Sequence, residues 1–271
     1  MRLSIPGFDL RLTAESGQCF RMLPEGENRW GVIASGQKLT IADLGEGVFD
    51  FSCSQVAFDA LWRGYFDLER DYEGICALVT PEDGYLHEAV SFAKGLRILK
   101  QEPFETLISF IISQRKTVGA IRHCVKMLCE AYGERIEEGA YAFPTPRALA
   151  EASMDGLLAC ALGYRARYIQ ATARMVLEGR PALRELDTLD DQELEAALLP
   201  LPGVGVKVAS CVMLFAYQRL DAFPVDVWIQ RVMASEFPGG FPFERFSGVS
   251  GIFQQHLFCY ARAQSRSQLV K

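Results

Sequence analysis

A chain of 271 residues that is 49% hydrophobic can bury one large core or two ordinary ones. Its formal net charge of −6 excludes a protein that coats nucleic acid through bulk positive charge. No run of about 18 apolar residues occurs, and the opening MRLSIPGFDL lacks a charged-then-apolar layout. Neither a membrane-spanning helix nor a secretory signal is expected, and an intracellular protein is expected, cytoplasmic in a prokaryote or nuclear in a eukaryote.

In chain order, FDLRL (8–12), RWGVIA (29–34), KLTIAD (38–43) and VFDFSC (48–53) alternate between glycine-containing turns and predict an antiparallel sheet. From Phe58 onward the apolar residues recur at helical spacing, and no strand is predicted after about residue 90. Helices are predicted within 105–114, 117–133, 146–153, 166–179, 190–199, 206–218, 226–237 and 251–264, punctuated by Pro146, Asp190, Gly203, Gly205, Pro224 and Pro238. The expected fold class is α+β: an N-terminal antiparallel-sheet domain over 1–92, then a helical domain over 93–271.

Eight cysteines include no CxxC pair, and three histidines are too few for a histidine-built site. Neither structural zinc nor an iron–sulfur cluster is expected, and the cysteines read as reduced, mostly buried thiols. Residues 94–126 hold 7 basic side chains against 2 acidic, whereas residues 1–93 hold 7 against 15. That segment is a small polyanion-binding face or a solvated helix surface.

LPGVGVKVASC (201–211) reads as a tight turn entering a helix. Gly203 and Gly205 permit torsions other residues avoid and leave the amides at the helix start open to an anion, so Val206 and its neighbours can hold a phosphate by backbone N–H groups. An ordinary αα-hairpin is the alternative. Lys207 stands at the positive end of the helix dipole, where a cation is disfavoured, as suits an amine nucleophile. Asp226 follows Pro224 and Val225 and caps the next helix. A helix over 206–217 carries the chain away by about 18 Å, and RLDAFPV can return it by up to about 23 Å. Lys207 and Asp226 can therefore meet, and an amine beside a carboxylate is machinery for displacing a base from a deoxyribose.

LPGVGVKVASC followed by PVDVWIQRV resembles the helix-hairpin-helix and Gly-Pro-Asp (HhH-GPD) family of base-excision DNA glycosylases, and the lysine points to its lyase-competent members. SGQCFRM (16–22), ALGYRARYI (161–169) and GIFQQHLFCYAR (251–262) narrow the resemblance to 8-oxoguanine DNA glycosylases. The resemblance covers about residues 8–263 and implies a TATA-binding-protein-like sheet joined to a two-part helical body. It implies that Lys207 attacks C1′ of a flipped nucleotide and forms a Schiff base that permits β-elimination, while Asp226 stabilises the sugar cation. Gly17, Cys211, Phe215, Gln254 and Phe258 would form the base pocket, the Gly17 carbonyl accepting N7–H. Tyr164 would wedge into the duplex and Arg165 read the opposite cytosine. The expected partner is duplex DNA carrying a damaged base, bound by a monomer. No cofactor is expected beyond a monovalent cation that the hairpin could hold.

The chain departs from the family pattern at QRKT. Arg115 and Lys116 replace asparagines that contact the orphaned base, Ala120 stands where eukaryotic members carry a second cytosine-reading arginine, and Trp228 replaces a histidine. Two other readings are weighed: a monofunctional alkylated-base glycosylase, which would lack the hairpin lysine, and a non-catalytic hairpin module, which would need neither Asp226 nor a fitted pocket.

Overall fold

The computed structural model describes the backbone of residues 1–269 and the side chains of residues 1–265. Strands β1 (Arg2–Ser4), β2 (Met22–Gly26), β3 (Arg29–Ala34), β4 (Gln37–Asp43) and β5 (Val48–Phe51) form an antiparallel sheet in the order β1-β5-β4-β3-β2. Alternation in KLTIAD turns Leu39 and Ile41 inward, opposite Val32 and Trp30 of β3, and all four are buried. They pack with Phe58, Trp62 and Phe66, which lie on and just beyond α2 (Gln55–Ala57), the π-helical turn Phe58–Trp62 and α3 (Arg63–Tyr65). Burying each such side chain contributes about 1.5–3 kcal/mol.

Two expectations are corrected here. FDLRL is not a strand: its residues enter α1 (Leu10–Glu15), because the Asp9 carboxylate accepts from Leu12 N at 2.7 Å and so caps a helical turn. The sheet is completed by β1 and β2 instead; in MLPEG only Met22 is buried, so no alternation marked it. Strands also occur after residue 90, where β6 (Arg135–Glu137) and β7 (Ala140–Tyr141) make a small hairpin too short to leave a period.

The helical body comprises α4 (Tyr72–Cys76), α5 (Tyr85–Phe92), α6 (Pro103–Ser113), α7 (Val118–Tyr132), α8 (Pro146–Glu151), α9 (Met154–Ala159), α10 (Arg165–Leu177), α11 (Asp191–Leu198), α12 (Val206–Ala216), α13 (Val227–Glu236) and α14 (Ser250–Leu269). Thr117, Thr145 and Ser153 cap α7, α8 and α9, and Asp190 with Glu193 forms a capping box on α11. Helices α6 and α12 pack through Phe110 stacked on Phe215, ring centroids 5.4 Å apart. That contact sets the end of α6 beside the first turns of α12.

Sheet and helical body are stitched by buried polar contacts. The Gln18 amide donates to Arg97 O at 2.8 Å and accepts from Leu99 N at 2.7 Å. Arg21 pairs with Glu105 at 3.0 Å with both side chains nearly sealed from solvent. Removing one partner of such an ion pair costs about 3–5 kcal/mol. These ties hold the neighbouring Gly17 over the helical body. Among the described residues, no helix is long and apolar enough to cross a membrane.

Candidate active site

The hairpin is built from the end of α11, where Leu201 N reaches Leu198 O and Val204 N reaches Leu201 O. Gly203 lies at φ +82, and a Cβ there would stand 2.9 Å from Tyr168 Cβ; both backbone and space demand glycine. Gly205 caps α12 without a side-chain partner, nothing lies within 4 Å of where its Cβ would be, and Val206 is exposed. The first-turn amides of α12 therefore meet solvent directly, at the positive end of its dipole. Gly203→Ala should lower stability by about 1–3 kcal/mol and weaken duplex binding in parallel, checked by thermal unfolding and fluorescence anisotropy.

In the first turn of α12, Lys207 Nζ lies 3.4 Å from Ser113 Oγ and 5.0 Å from the Phe110 ring centroid. Burial pushes the Cys211 thiol up, against the hydrogen-bonded Lys207 ammonium, with the Asp226 carboxylate adding to the rise. Asp226 caps α13, its Oδ1 accepting from Trp228 N at 3.0 Å and Ile229 N at 2.9 Å. Lys207 and Asp226, predicted to meet, line one cleft of about 400 Å³.

The same cleft is lined by all five predicted base-pocket residues, Gly17, Cys211, Phe215, Gln254 and Phe258. Gly17 sits at φ +84, and a Cβ would meet Phe258 and Arg262 at 3.3 Å, so the backbone can approach a ligand closely only as glycine. Gln254 is buried and donates from Nε2 to Pro224 O at 2.8 Å. Arg262, one turn beyond Phe258 on α14, lies over that ring at 5.1 Å and donates to Glu15 O at 3.3 Å.

The predicted duplex contacts are arranged unevenly: Lys116 lines the cleft, and Tyr164, Arg165 and Arg115 do not. Tyr164 is half-exposed at 51%. Arg165, predicted to read the opposite cytosine, is only 6% exposed; its guanidinium stacks on Tyr164 at 4.4 Å and donates to the carbonyls of Gln114 and Leu162. An arginine at a chain reversal satisfies the loose carbonyls there, which the sequence pattern did not reveal. Arg115 is exposed at φ +53, and Lys116 donates to Ala161 O at 3.1 Å while lining the cleft. Ala120 offers no side-chain donor, and Trp228 lines the cleft beneath Arg231.

Gln114 was missed by the sequence reading. Its Nε2 donates to Gly203 O at 3.0 Å and to Ile111 O at 3.1 Å, while its own carbonyl receives Arg165. The hairpin, the end of α6 and the start of α10 are thus tied through one residue. Phe110, Ser113, Gln255 and Arg262 were also missed; only the helical spacing from Phe258 to Arg262 could have found one of them. Among the described residues no three His, Cys, Asp or Glu side chains gather to hold a metal.

A glycine hairpin presenting bare amides, with a lysine and a carboxylate facing one cleft large enough for a base, defines a base-excision DNA glycosylase of the HhH-GPD type. A model of the HhH-GPD superfamily of base excision DNA repair proteins matches residues 108–237, and one of the 8-oxoguanine DNA glycosylase N-terminal domain matches residues 1–107. The chain is 30% identical to a probable N-glycosylase/DNA lyase of Methanothermobacter thermautotrophicus, over 97% of this chain and 96% of that protein. It superposes on the Clostridium acetobutylicum 8-oxoguanine glycosylase/lyase, solved with duplex DNA containing cytosine opposite 8-oxoguanine, with a TM-score of 0.88 and 35% identity over 95% and 93% of the two chains. MBOgg1, solved with a low-affinity DNA ligand, gives a TM-score of 0.91 and 34% identity over 97% and 96%. The chain belongs to the 8-oxoguanine N-glycosylase/DNA lyase family.

Proposed function

We propose that this enzyme, as a monomer, removes 8-oxoguanine from duplex DNA and then cleaves the strand at the resulting site. The observation that carries the reading is the convergence of Lys207, Asp226 and the acceptor-presenting Gln254 on one cleft. Because Gln254 Nε2 must donate to Pro224 O, its Oε1, which also accepts from Gln255 Nε2, is the end with a lone pair left for the pocket. An acceptor there suits the N1–H of a guanine-type lactam and opposes the N1 acceptor of adenine-type bases. The Gly17 carbonyl accepts the N7–H that distinguishes 8-oxoguanine from guanine.

In this reading the hairpin amides of Gly205 and Val206 hold the backbone while Tyr164 enters the stack and the damaged nucleotide swings into the cleft. Phe258 stacks on the base, with Phe215 and Cys211 completing the walls. Lys207, once it has given up its ammonium proton, attacks C1′ through its lone pair, the C1′–N9 bond breaks with the departing base taking up a proton, and Asp226 stabilises the positive sugar in between. The amine adduct opens to a Schiff base, and loss of a C2′ proton expels the 3′-oxygen. Nucleophile and stabilising charge both come from the chain, so the reading needs no cofactor.

Borohydride should trap the protein on a duplex containing 8-oxoguanine. Absence of trapping there, together with release of an alkylated base, would overturn this in favour of the monofunctional alternative. Opposite-base preference should be relaxed, since Arg165 is turned onto Gln114 and Ala120 is without a donor, leaving the exposed Arg115 to face the estranged base. Single-turnover rates opposite cytosine, adenine, guanine and thymine should fall within about tenfold of each other; strict dependence on cytosine would refute this.

A further inference from the structure

The base pocket carries a second amide whose orientation is dictated. Pro224 O can only accept, so Gln254 must present Nε2 to it, at 2.8 Å, and Oε1 in the other direction. Gln255 meets that oxygen at 2.9 Å. Since Oε1 of Gln254 can only accept, Gln255 must offer its Nε2, and the chain of amides ends on Gln255 Oε1. That atom is buried with no hydrogen-bond partner among the described residues. Both glutamines are almost fully buried and both line the cleft.

A buried amide oxygen without a donor costs about 1–3 kcal/mol and is retained where something completes it. Apolar side chains of similar size were open to this position of α14, yet the chain places there a group with one end spent on Gln254 and the other unspent. The unspent end is an acceptor, adjacent to the acceptor read above as taking N1–H. On a guanine-type base the donor next to N1–H along the same edge is the exocyclic amine at C2.

We propose that Gln255 is a specificity-determining residue of the base pocket: its Nε2 locks the Gln254 carboxamide, and its Oε1 accepts a hydrogen from the exocyclic amine of the extruded base. The inference rests on the guanine-lesion reading above and adds the discrimination of that amine. The two glutamines together specify two adjacent donors, which 8-oxoguanine has. 8-Oxohypoxanthine, identical but for the missing amine, has only one.

Single-turnover excision from duplexes carrying either base, in the same sequence and opposite the same base, tests it. The wild-type enzyme should excise 8-oxoguanine at least about tenfold faster than 8-oxohypoxanthine. In Gln255→Leu the ratio should narrow to within about twofold, and because each variant is compared with itself, any loss common to both substrates cancels. Equal wild-type rates, or a Gln255→Leu enzyme that keeps the wild-type ratio, would overturn the proposal while leaving the 8-oxoguanine reading intact. No excision of 8-oxoguanine by the wild-type enzyme would refute that reading and this inference together.

Discussion

Replacing Lys207 by glutamine should abolish borohydride trapping and reduce excision by at least about 10³-fold, with duplex affinity held within a few-fold. The two outcomes separate because two adjacent parts of the hairpin do different work. On the proposed function the grip comes from Gly203, Gly205 and the amides that open α12, and glutamine is nearly as good a helix former as lysine, so that geometry survives. What disappears is the amine that the structure places against Ser113, Phe110 and Cys211 inside the cleft. Residual trapping on the Lys207→Gln protein, read on a denaturing gel, would mean that another amine forms the Schiff base and that the role assigned to Lys207 is wrong.

Asp226 caps a helix and, on the proposed function, also stabilises the sugar cation, and asparagine tells the two apart. As a helix cap Asn is equivalent to Asp, so Asp226→Asn should leave thermal stability within about 0.5 kcal/mol, whereas Asp226→Ala should lose about 1 kcal/mol with the two bonds to Trp228 N and Ile229 N. Excision should fall in both, by about 10²–10³-fold, since both lack the negative charge that faces the developing sugar cation. An Asp226→Asn enzyme with wild-type single-turnover rate would reduce Asp226 to a cap.

The chemistry of the site was more legible in the sequence than the shape around it. Gly203, Gly205, Lys207 and Asp226 announce themselves because backbone freedom, a helix start and a proline-flanked carboxylate are local properties. The span between Lys207 and Asp226 could be checked from chain dimensions alone, and the five pocket residues predicted from resemblance do line the cleft. Tertiary contacts were another matter. Arg165 looks exposed in GYRARY, and only folding reveals that the Gln114 carbonyl draws it inward. FDLRL alternates like a strand, but the Asp9 cap decided for a helix. The Gln254–Gln255 pair is visible as two letters, yet its polarity is set by Pro224, thirty residues earlier.

The tie through Gln114 also bears on how damage is found. Because its side chain holds the hairpin and its carbonyl holds Arg165 in the turn carrying Tyr164, the backbone grip and the inserted ring of the proposed function are coupled through one residue. On the proposed function a duplex meets both together, so a site where stacking is already weakened should yield to them more readily than intact DNA.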